Sequence, residues 1–361
     1  MKIAYITADW GRTPDGTFKI PGGASWVRLH TPARYLERAG HHIVFAQQVA
    51  AFHNDKLVPL NMDDVPLMLD PDVVVLQRWM HRDAPDAIRA ARAAGQVVLQ
   101  DVDDWFWGLD PRNQAHAATD PRRFPDANRD HYRAAIEAST AVTVSTEFLA
   151  KRIRERWGVT THLLPNAIDR LMWVQQDVRD TDRELVVGWT GSLSHRSGDL
   201  ETLRGVLGPY LDDVAGTFVH HGVTPYDRDT AGQRIGLSDN QIGPSKPLAR
   251  PEDFPDNVAG FDIGIVPLTD QPFNHAKSWI KGLEYAAAGI PFVAQRTREY
   301  QKLGAGILAS TPSEWRAALD QLTDPAERTR VRDIGLAAAA EQSIATRWRE
   351  WEDVYSRYLP A

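Results

Sequence analysis

The first half of the chain alternates short apolar runs with segments of helical periodicity. Continuous apolar runs of this length are typical of buried parallel strands. The runs predicted to be strands cover residues 2–7, 42–46, 73–76, 97–99, 141–145 and 162–164. The segments predicted to be helices cover residues 24–38, 85–94 and 146–157. Because strand and helix alternate, the pattern predicts a doubly wound α/β domain.

The same alternation restarts after a polar stretch at residues 175–184, which is typical of a linker. The second set of predicted strands covers residues 185–190, 217–221, 263–267 and 291–294. A loop at residues 191–198 is followed by predicted helices at residues 199–207 and 344–358. Two such halves, joined near residue 175, predict two doubly wound domains that face each other.

The segment from Pro272 to Pro291 predicts a single helix with a polar start and a marked end. Asn274 or His275 is expected at its N-cap, while Gly289 suits the left-handed position after its last turn. One face is expected to be charged, because its residues recur at helical spacing. That face carries Lys277, Lys281 and Glu284, and the opposite, core-facing stripe carries Ile280, Leu283 and Ala287.

This helix has the chemistry of a nucleotide site. Free N–H groups and the helix dipole attract an anion to the N-terminus, and Lys277 and Ser278 are expected in the first turn. Glu284, two turns further on, can accept hydrogen bonds from sugar hydroxyls. Phosphate followed by ribose is the order of groups in a nucleotide diphosphate. A solvated amphipathic helix with ordinary charge pairs explains the same pattern and stays open.

Composition narrows the classes of protein and of partner. The net charge of −7 argues against a nucleic-acid partner, because proteins that bind nucleic acids usually present a basic surface. The 361 residues include no cysteine, which fits a reducing, cytoplasmic location and excludes thiolate metal sites. The N-terminus predicts no signal peptide, and no apolar run predicts a membrane span. The chain has twelve tryptophans, so contact with a membrane surface remains an open alternative.

Several common active-site motifs are absent from the sequence. The first strand is not followed by Gly-x-Gly-x-x-Gly, and no Gly-x-x-x-x-Gly-Lys-Ser/Thr occurs, which argues against dehydrogenases and P-loop enzymes. His-Glu-x-x-His and Gly-x-Ser-x-Gly are absent as well, which argues against zinc proteases and α/β-hydrolases.

Two glycine-rich loops remain as candidate phosphate sites, one in each half. Gly22 and Gly23 precede a predicted helix, and glycine allows backbone N–H groups to approach a phosphate closely. The second loop follows a predicted strand and carries Gly191, Ser192 and Arg196, whose guanidinium can neutralise a diphosphate. An ordinary turn in the first case and a solvated loop in the second remain open alternatives.

These residues carry a resemblance to a known family. Gly22-Gly23 is followed by Arg28, Leu29, Pro32, Leu36 and by Ala39-Gly40-His41-His42-Ile43. Further matching segments are Leu164-Pro165-Asn166-Ala167-Ile168-Asp169, Asp262-Ile263-Gly264-Ile265-Val266-Pro267 and Glu284. Over nearly its whole length the chain resembles the GT-B nucleotide-sugar glycosyltransferases, specifically the retaining group called glycosyltransferase family 4.

The resemblance implies a GT-B fold, with two Rossmann-like domains facing each other across a cleft. An N-terminal acceptor-side domain is expected over residues 1–172, completed by a C-terminal helix at residues 344–361 that crosses back onto it. A donor-binding domain is expected over residues 183–343. Gly191, Ser192 and Arg196 fall where the family binds the donor diphosphate, and Glu284 falls at its ribose-binding Glu. Gly22 and Gly23 would close over the diphosphate, while Lys277, with Ser278 beside it, would stabilise its charge.

One position departs from the family. In the family motif seven residues separate a first Glu from the second, and the first Glu usually contacts the transferred sugar; its position is Ala276 here. Asn274 or His275 is expected to substitute. The chain resembles a subgroup that has Phe-Asn, then Lys-Ser, then Leu-Glu-Tyr-Ala in this segment.

An acidic cluster follows the strand predicted at residues 97–99. Asp101, Asp103 and Asp104 admit three interpretations: contact with an acceptor or the donor sugar, divalent-cation binding, or capping of a helix. The resemblance favours Asp103 and Asp104 as catalytic residues and implies no metal. Trp105, Phe106 and Trp107 are expected either to stack on a sugar or lipid or to lie in the core.

The resemblance implies transfer of a sugar, with retention of configuration, from a UDP- or GDP-linked donor to a glycan, lipid-linked or protein acceptor. No cofactor and no metal is expected. Two other classes stay open: a GT-B nucleotide-sugar epimerase or phosphorylase, and a non-catalytic nucleotide-sugar-binding scaffold. A DNA-modifying sugar transferase shares the architecture, but the acidic net charge counts against it.

Overall fold

The computed structural model describes most of the chain. It covers residues 1–7, 11–12, 18–19, 23–52, 55–61, 63–178, 184–195, 198–222, 230–246 and 251–360. The chain divides into two units by its internal contacts. The first consists of Met1–Leu109, Ala115–Ala167 and Ile344–Ala361, and the second of Asp110–Gln114 and Ile168–Ser343.

Strands are numbered in chain order across both units. They are β1 (Lys2–Thr7), β2 (Gly11–Arg12), β3 (Phe18–Lys19), β4 (His42–Ala46), β5 (Gln48–Phe52), β6 (Lys56–Leu60), β7 (Val73–Gln77), β8 (Val97–Val102), β9 (Ala141–Val144), β10 (Thr161–Leu163), β11 (Val186–Thr190), β12 (Thr217–His221), β13 (Ile263–Val266), β14 (Phe292–Gln295) and β15 (Ile307–Ala309).

Helices are numbered in the same way. They are α1 (Gly23–Ser25), α2 (Thr31–Arg38), α3 (Ala84–Ala93), α4 (Gln114–Ala118), α5 (Arg129–Ala138), α6 (Glu147–Trp157), α7 (Leu207–Val214), α8 (Ala231–Arg234), α9 (Phe254–Val258), α10 (Ile280–Ala287), α11 (Arg298–Leu303), α12 (Pro312–Gln321), α13 (Pro325–Glu341) and α14 (Ile344–Ser356). A π-helical stretch, Trp26–His30, joins α1 to α2.

The sheet of the first unit is parallel, in the order β10-β9-β8-β7-β1-β4. Successive side chains of a strand point to opposite faces, so each strand contributes to two cores. On one face Ile3 and Val75 pack with the apolar sides of α2 and α14. On the other face Ala4 and Val74 pack with α3 and α5. This layering is the predicted doubly wound α/β arrangement.

The sheet of the second unit is also parallel, in the order β12-β11-β13-β14-β15. One face buries Val187 and Ile265 against α7 and α12, and the other buries Phe292 against α10 and α13. The strand order reverses at β11, so the carboxyl edge beside β11 and β13 is the topological switch point, where open α/β sheets bind ligands. The prediction of two parallel α/β sheets is confirmed.

Local signals fixed several boundaries correctly. β1, β4 and β12 have the predicted bounds, and Thr146 caps α6 by accepting from the backbone N–H of Leu149 at 3.4 Å. Gly289 has φ +74°, as expected of the residue that follows the helix end after Ala287. The C-terminal helix α14 lies in the first unit, as the resemblance implied.

Two predicted helices are wrong in extent. The helix predicted at residues 199–207 is instead a short 3₁₀ turn, Leu200–Leu203. Helix α7 begins only at Leu207, because Gly205, with φ +76°, interrupts the helical backbone between the turn and α7. The helix predicted from Asn274 begins instead at Ile280, after a separate 3₁₀ turn, Asn274–Ala276. Among the described residues no helix is both long and apolar enough to cross a membrane.

Candidate functional site

The carboxyl edge of the second sheet brings two glycines together. Gly191 follows β11 and Gly222 follows β12, and the Gly191 N–H donates to the His221 carbonyl at 3.1 Å. His220 Nε2 lies 2.9 Å from the Gly191 carbonyl oxygen. A Cβ on Gly222 would overlap that same oxygen, so this close approach of two strand ends requires glycine.

Helix α10 is fastened to the end of β11 by two side chains. Lys281 Nζ donates to Thr190 Oγ1 at 2.9 Å, and the Thr190 N–H donates to the Tyr285 hydroxyl at 3.1 Å. Tyr285 is buried, whereas Lys281 and Glu284 are half-buried. Lys281 and Glu284 are three residues apart, so both side chains lie on one face of α10. The Lys281 contact with Thr190 places that face at the carboxyl end of β11, beside the topological switch point of the sheet.

The turn before α10 is held by a buried polar cluster. Asp199 Oδ1 accepts from the Thr269 N–H and hydroxyl, each at 3.0 Å, and from the Asn274 side-chain amide at 2.6 Å. Asn274 is buried, and its amide also donates to the Thr269 carbonyl at 3.0 Å. Asn274, predicted to contact the donor, is therefore placed where it positions the turn ahead of α10.

Lys277 does not lie in the first turn of a helix, which corrects the prediction. The residue has extended backbone geometry (φ −66°, ψ 133°) between the 3₁₀ turn and α10. Its ammonium lies over the Phe273 ring, 4.2 Å from the ring centroid. Ser278 Oγ accepts from the Ile280 N–H at 3.4 Å, so Ser278 satisfies part of the helix N-terminus. Ala276, at the position of the family's first Glu, is fully buried.

The loop after β11 is held by side-chain contacts within the loop and by hydrogen bonds from residues 113 and 114. Ser192 Oγ lies 2.8 Å from Ser194 Oγ and 3.1 Å from His195 Nδ1. The Asn113 side-chain amide donates to the His195 carbonyl, and the Gln114 N–H donates to the Ser194 carbonyl, each at 3.2 Å. Arg196, predicted to neutralise the diphosphate, lies outside the described residues. Nothing in the local sequence indicated the role of Asn113.

In the first unit, Gly23 begins the helical stretch at φ +68°, and Gly22 lies outside the described residues. Behind this helix a polar network crosses the carboxyl ends of β1 and β7. Thr7 Oγ1 lies 2.7 Å from Ser25 Oγ and donates to Gln77 Oε1 at 3.1 Å. Ser25 also donates to Gln77. The network therefore fixes the start of the helix against the sheet.

Arg28 and Asp101 form a fully buried bidentate ion pair. Arg28 Nη2 lies 2.7 Å and Nε 3.1 Å from the two carboxylate oxygens, and Thr143 Oγ1 donates to Asp101 at 2.7 Å. Burial lowers the pKa of Arg28, but Asp101 outweighs that effect, so the pKa lies above its usual value. Arg28 also donates to Asn166 Oδ1 at 3.1 Å and to the Leu164 carbonyl. The Asp101 carboxylate therefore stabilises the interior of the first unit.

The other two acids of the cluster, Asp103 and Asp104, are half-buried beyond the end of β8. The 3₁₀ turn that follows, Phe106–Gly108, has Trp105 at its N-cap position, and Trp105 makes no side-chain cap hydrogen bond. Within the described ranges, no three His, Cys, Asp or Glu side chains are grouped so that they could hold a metal ion.

The aromatic residues beside the acidic cluster pack with one another. Trp105 and Phe106 are buried, and the Trp105 ring stacks on Trp157 with 5.5 Å between centroids. Trp107 is half-buried and stacks on Tyr132 at 5.9 Å. Trp105 and Phe106 are therefore core residues, the second of the two predicted alternatives.

Two adjacent histidines sit at the end of β12 with depressed pKa values. Burial lowers the pKa of His220, and the positive charge of Lys281 adds to the effect. Burial also lowers the pKa of His221, to about 4. His220 stacks on Trp189 with 5.0 Å between ring centroids. Both imidazoles are therefore neutral at pH 7, and the positive charges that act on them belong to Lys281, Arg234 and Lys246.

Comparison with solved structures finds similar chains of known fold. HepE from Anabaena, in complex with UDP and glucose, is 14% identical and matches 99% of this chain and 100% of that chain, with a TM-score of 0.62. A glycosyltransferase from Rickettsia africae ESF-5 is 11% identical over 99% and 98% of the two chains, with a TM-score of 0.65. A UDP-forming α,α-trehalose-phosphate synthase from Burkholderia xenovorans is 13% identical over 81% and 75%, with a TM-score of 0.55.

Neither a comparison with protein-family models nor one with curated proteins found a match. Structural similarity across nearly the whole chain at 11–14% identity identifies the fold. The chain has the GT-B fold of these glycosyltransferases.

Proposed function

We propose that this protein is a glycosyltransferase that moves a sugar from a nucleotide-diphosphate sugar to a hydroxyl-bearing acceptor. The observation that carries the proposal is the charged face of α10, where Lys281 and Glu284 meet the switch point of the second sheet. Open α/β sheets bind ligands at this position. The GT-B fold adds support, since HepE, which shares it, was crystallised with UDP and glucose.

The donor would lie along this edge in a fixed order. Gly191 and Ser192 would offer backbone and hydroxyl donors to the diphosphate, and Glu284 would accept from the ribose hydroxyls. Arg196 and Lys277 would add positive charge, together with the N–H groups at the start of α10. Uracil and guanine are the proposed bases of the donor nucleotide.

In the proposed reaction the bond between the sugar anomeric carbon and the diphosphate oxygen breaks, and the diphosphate leaves with the electron pair. The acceptor oxygen forms the new bond to that carbon and gives up its proton, which the leaving diphosphate accepts. Charge builds on the leaving diphosphate, so the main requirement is fixed positive charge around it. We infer retention of configuration by resemblance, with Asp103 or Asp104 contacting the acceptor or the sugar. The acceptor would be a glycan, a lipid-linked saccharide or a protein.

A thermal-shift screen against UDP-, GDP-, ADP-, CDP- and TDP-sugars tests donor binding, because a ligand that binds only the folded protein raises its melting temperature. A rise of several degrees with UDP- or GDP-sugars is expected. If none of the five classes raises the melting temperature at millimolar concentration, the donor function is wrong.

Product analysis with the stabilising donor separates transfer from the other GT-B activities. Turnover that depends on added acceptor supports a transferase. Turnover without any acceptor would identify an epimerase or a phosphorylase instead, and binding without turnover would identify a scaffold. The same assay in EDTA should retain activity, because basic side chains and a helix N-terminus can supply the needed charge. Loss in EDTA with recovery in manganese would overturn this metal-independent mechanism.

A further inference from the structure

We propose that Lys281 binds the diphosphate of the donor, a role that the sequence assigned to Lys277 and Arg196. This inference rests on the proposed function, because it concerns the same nucleotide. Its basis is the place of the Lys281 ammonium, 2.9 Å from Thr190 Oγ1 at the carboxyl end of β11. Thr190 is followed directly by Gly191, the residue at which the chain leaves the sheet.

The geometry distinguishes the two lysines of this segment. Lys277 Nζ lies over the Phe273 ring, 4.2 Å from its centroid, on the extended stretch ahead of the helix. Lys281 is the second residue of α10 and reaches the strand end at the switch point of the sheet. A ligand bound at that edge therefore meets the Lys281 ammonium.

The position of Lys281 in the first turn of α10 favours an anionic ligand. A cation in the first turn of a helix opposes the dipole, whose positive end lies there. Burial keeps nearby His220 neutral, and the positive charges of Lys281 and Arg234 add to this effect. Binding of an anion stabilises an ammonium in this position, because the lysine and the helix N-terminus both attract the anion. A diphosphate is the anion of a nucleotide-sugar donor.

Thr190 gives this lysine a defined position. The Thr190 hydroxyl accepts from Lys281 and lies 3.3 Å from the Tyr285 hydroxyl, which in turn accepts from the Thr190 N–H. Both Thr190 and Tyr285 are buried. The ammonium is therefore held by a rigid strand end, so little conformational entropy is lost when it also contacts a phosphate.

Calorimetry with UDP and uridine, and with GDP and guanosine, tests the assignment on the full chain. Lys281→Met should weaken binding of the favoured nucleoside diphosphate by about tenfold or more, the usual effect of losing a hydrogen bond from a charged group. Binding of the matching nucleoside should change by less than about twofold, because a nucleoside carries no phosphate. Lys281→Arg should recover part of the lost affinity. Lys151→Met, which removes an exposed lysine of α6 in the first unit, should bind like the wild type.

The outcomes separate the two levels of the proposal. If the wild type binds neither UDP nor GDP, the donor function fails and the role of Lys281 fails with it. If the wild type binds and Lys281→Met binds equally well, only the role of Lys281 is overturned. Equal loss of nucleotide and nucleoside would also overturn it, since Lys281 would then merely support the strand end. Melting temperatures of the ligand-free variants verify that each protein is folded.

Discussion

At the scale of single residues, the same type of side chain has different uses in the two units. Asp101 and Arg28 are buried and paired with each other, so their charges serve the interior of the first unit. Lys281 and Glu284 are half-buried at a sheet edge where ligands bind in open α/β folds. Burial and partners, rather than residue type, separate structural charges from candidate functional ones.

Glu284→Ala should weaken binding of the nucleotide by about 1–3 kcal/mol, the usual cost of losing a hydrogen bond to a charged group. The wild type should bind UDP more tightly than 2′-deoxy-UDP, because Glu284 would accept from a ribose hydroxyl. The variant should bind the two more nearly alike in calorimetry. Glu137→Ala, at an exposed position of α5, serves as the control. Retention of the full preference for UDP in Glu284→Ala would refute the ribose contact.

His221 should make stability depend on pH. Its pKa is about 4 in the folded protein and about 6.5 when unfolded, so between these values the unfolded state binds a proton that the folded state does not. The free energy of unfolding should therefore fall by about 1–3 kcal/mol from this group as pH drops from 6.5 to 4. His221→Asn should lack this contribution in urea unfolding at pH 7, 5.5 and 4.5. Parallel stability curves for the two proteins would contradict it.

At the scale of elements, α10 and the loop after β11 depend on contacts that are distant in sequence. Asn274 binds Asp199, 75 residues away in the chain, and this bond fixes the 3₁₀ turn that delays the start of α10. The loop after β11 depends on Asn113, 82 residues before His195. Local propensity is a weak determinant at such places, because tertiary hydrogen bonds outweigh it.

Asn113→Ala should loosen the loop at residues 191–195. Loss of the bond to the His195 carbonyl is expected to cost about 0.5–1.5 kcal/mol in stability, to speed amide hydrogen exchange in the loop and to weaken UDP binding several-fold. Asn61→Ala is the control, because Asn61 accepts from Asp63 and Val65 N–H groups in a turn of the first unit. It should cost comparable stability without changing UDP affinity. Unchanged exchange at residues 191–195 in Asn113→Ala would contradict the tether.

At the scale of the whole molecule, the end of the chain completes the core of the unit that its beginning forms. Ile344, Trp351 and Tyr355 of α14 are buried in the same apolar cluster as Ile3 and Leu36. Folding of the first unit therefore requires residues separated by more than 300 positions in sequence, with the second unit lying between them in the chain.

Trp351→Ala should destabilise the first unit by about 3–5 kcal/mol, the usual cost of truncating a large buried aromatic residue. Trp348→Ala, one turn earlier and only half-buried, should cost clearly less. Scanning calorimetry with and without UDP checks the assignment, since the nucleotide should stabilise the second unit directly. Equal losses in the two variants would show that α14 does not form part of this core.

The sequence alone determined the elements whose signals are local. Continuous apolar runs predicted β1, β4 and β12 within their observed bounds, and Thr146 and Gly289 marked helix ends correctly. The alternation of strand and helix indicated two parallel sheets, and the resemblance of the motifs indicated the GT-B fold. These signals persist in a single sequence because they depend on neighbouring residues, through pleat, helical periodicity and backbone conformation.

Only the tertiary structure decided which charges meet. The sequence placed Lys277 in the first turn of a helix and grouped Asp101 with Asp103 and Asp104. In the folded chain Lys277 lies on Phe273 ahead of α10, while Asp101 is paired with Arg28, 73 residues away. Lys281 reaches Thr190 across 91 residues. Such partners are set by sheet order and by burial, which bring distant segments together and leave no periodic trace in the sequence.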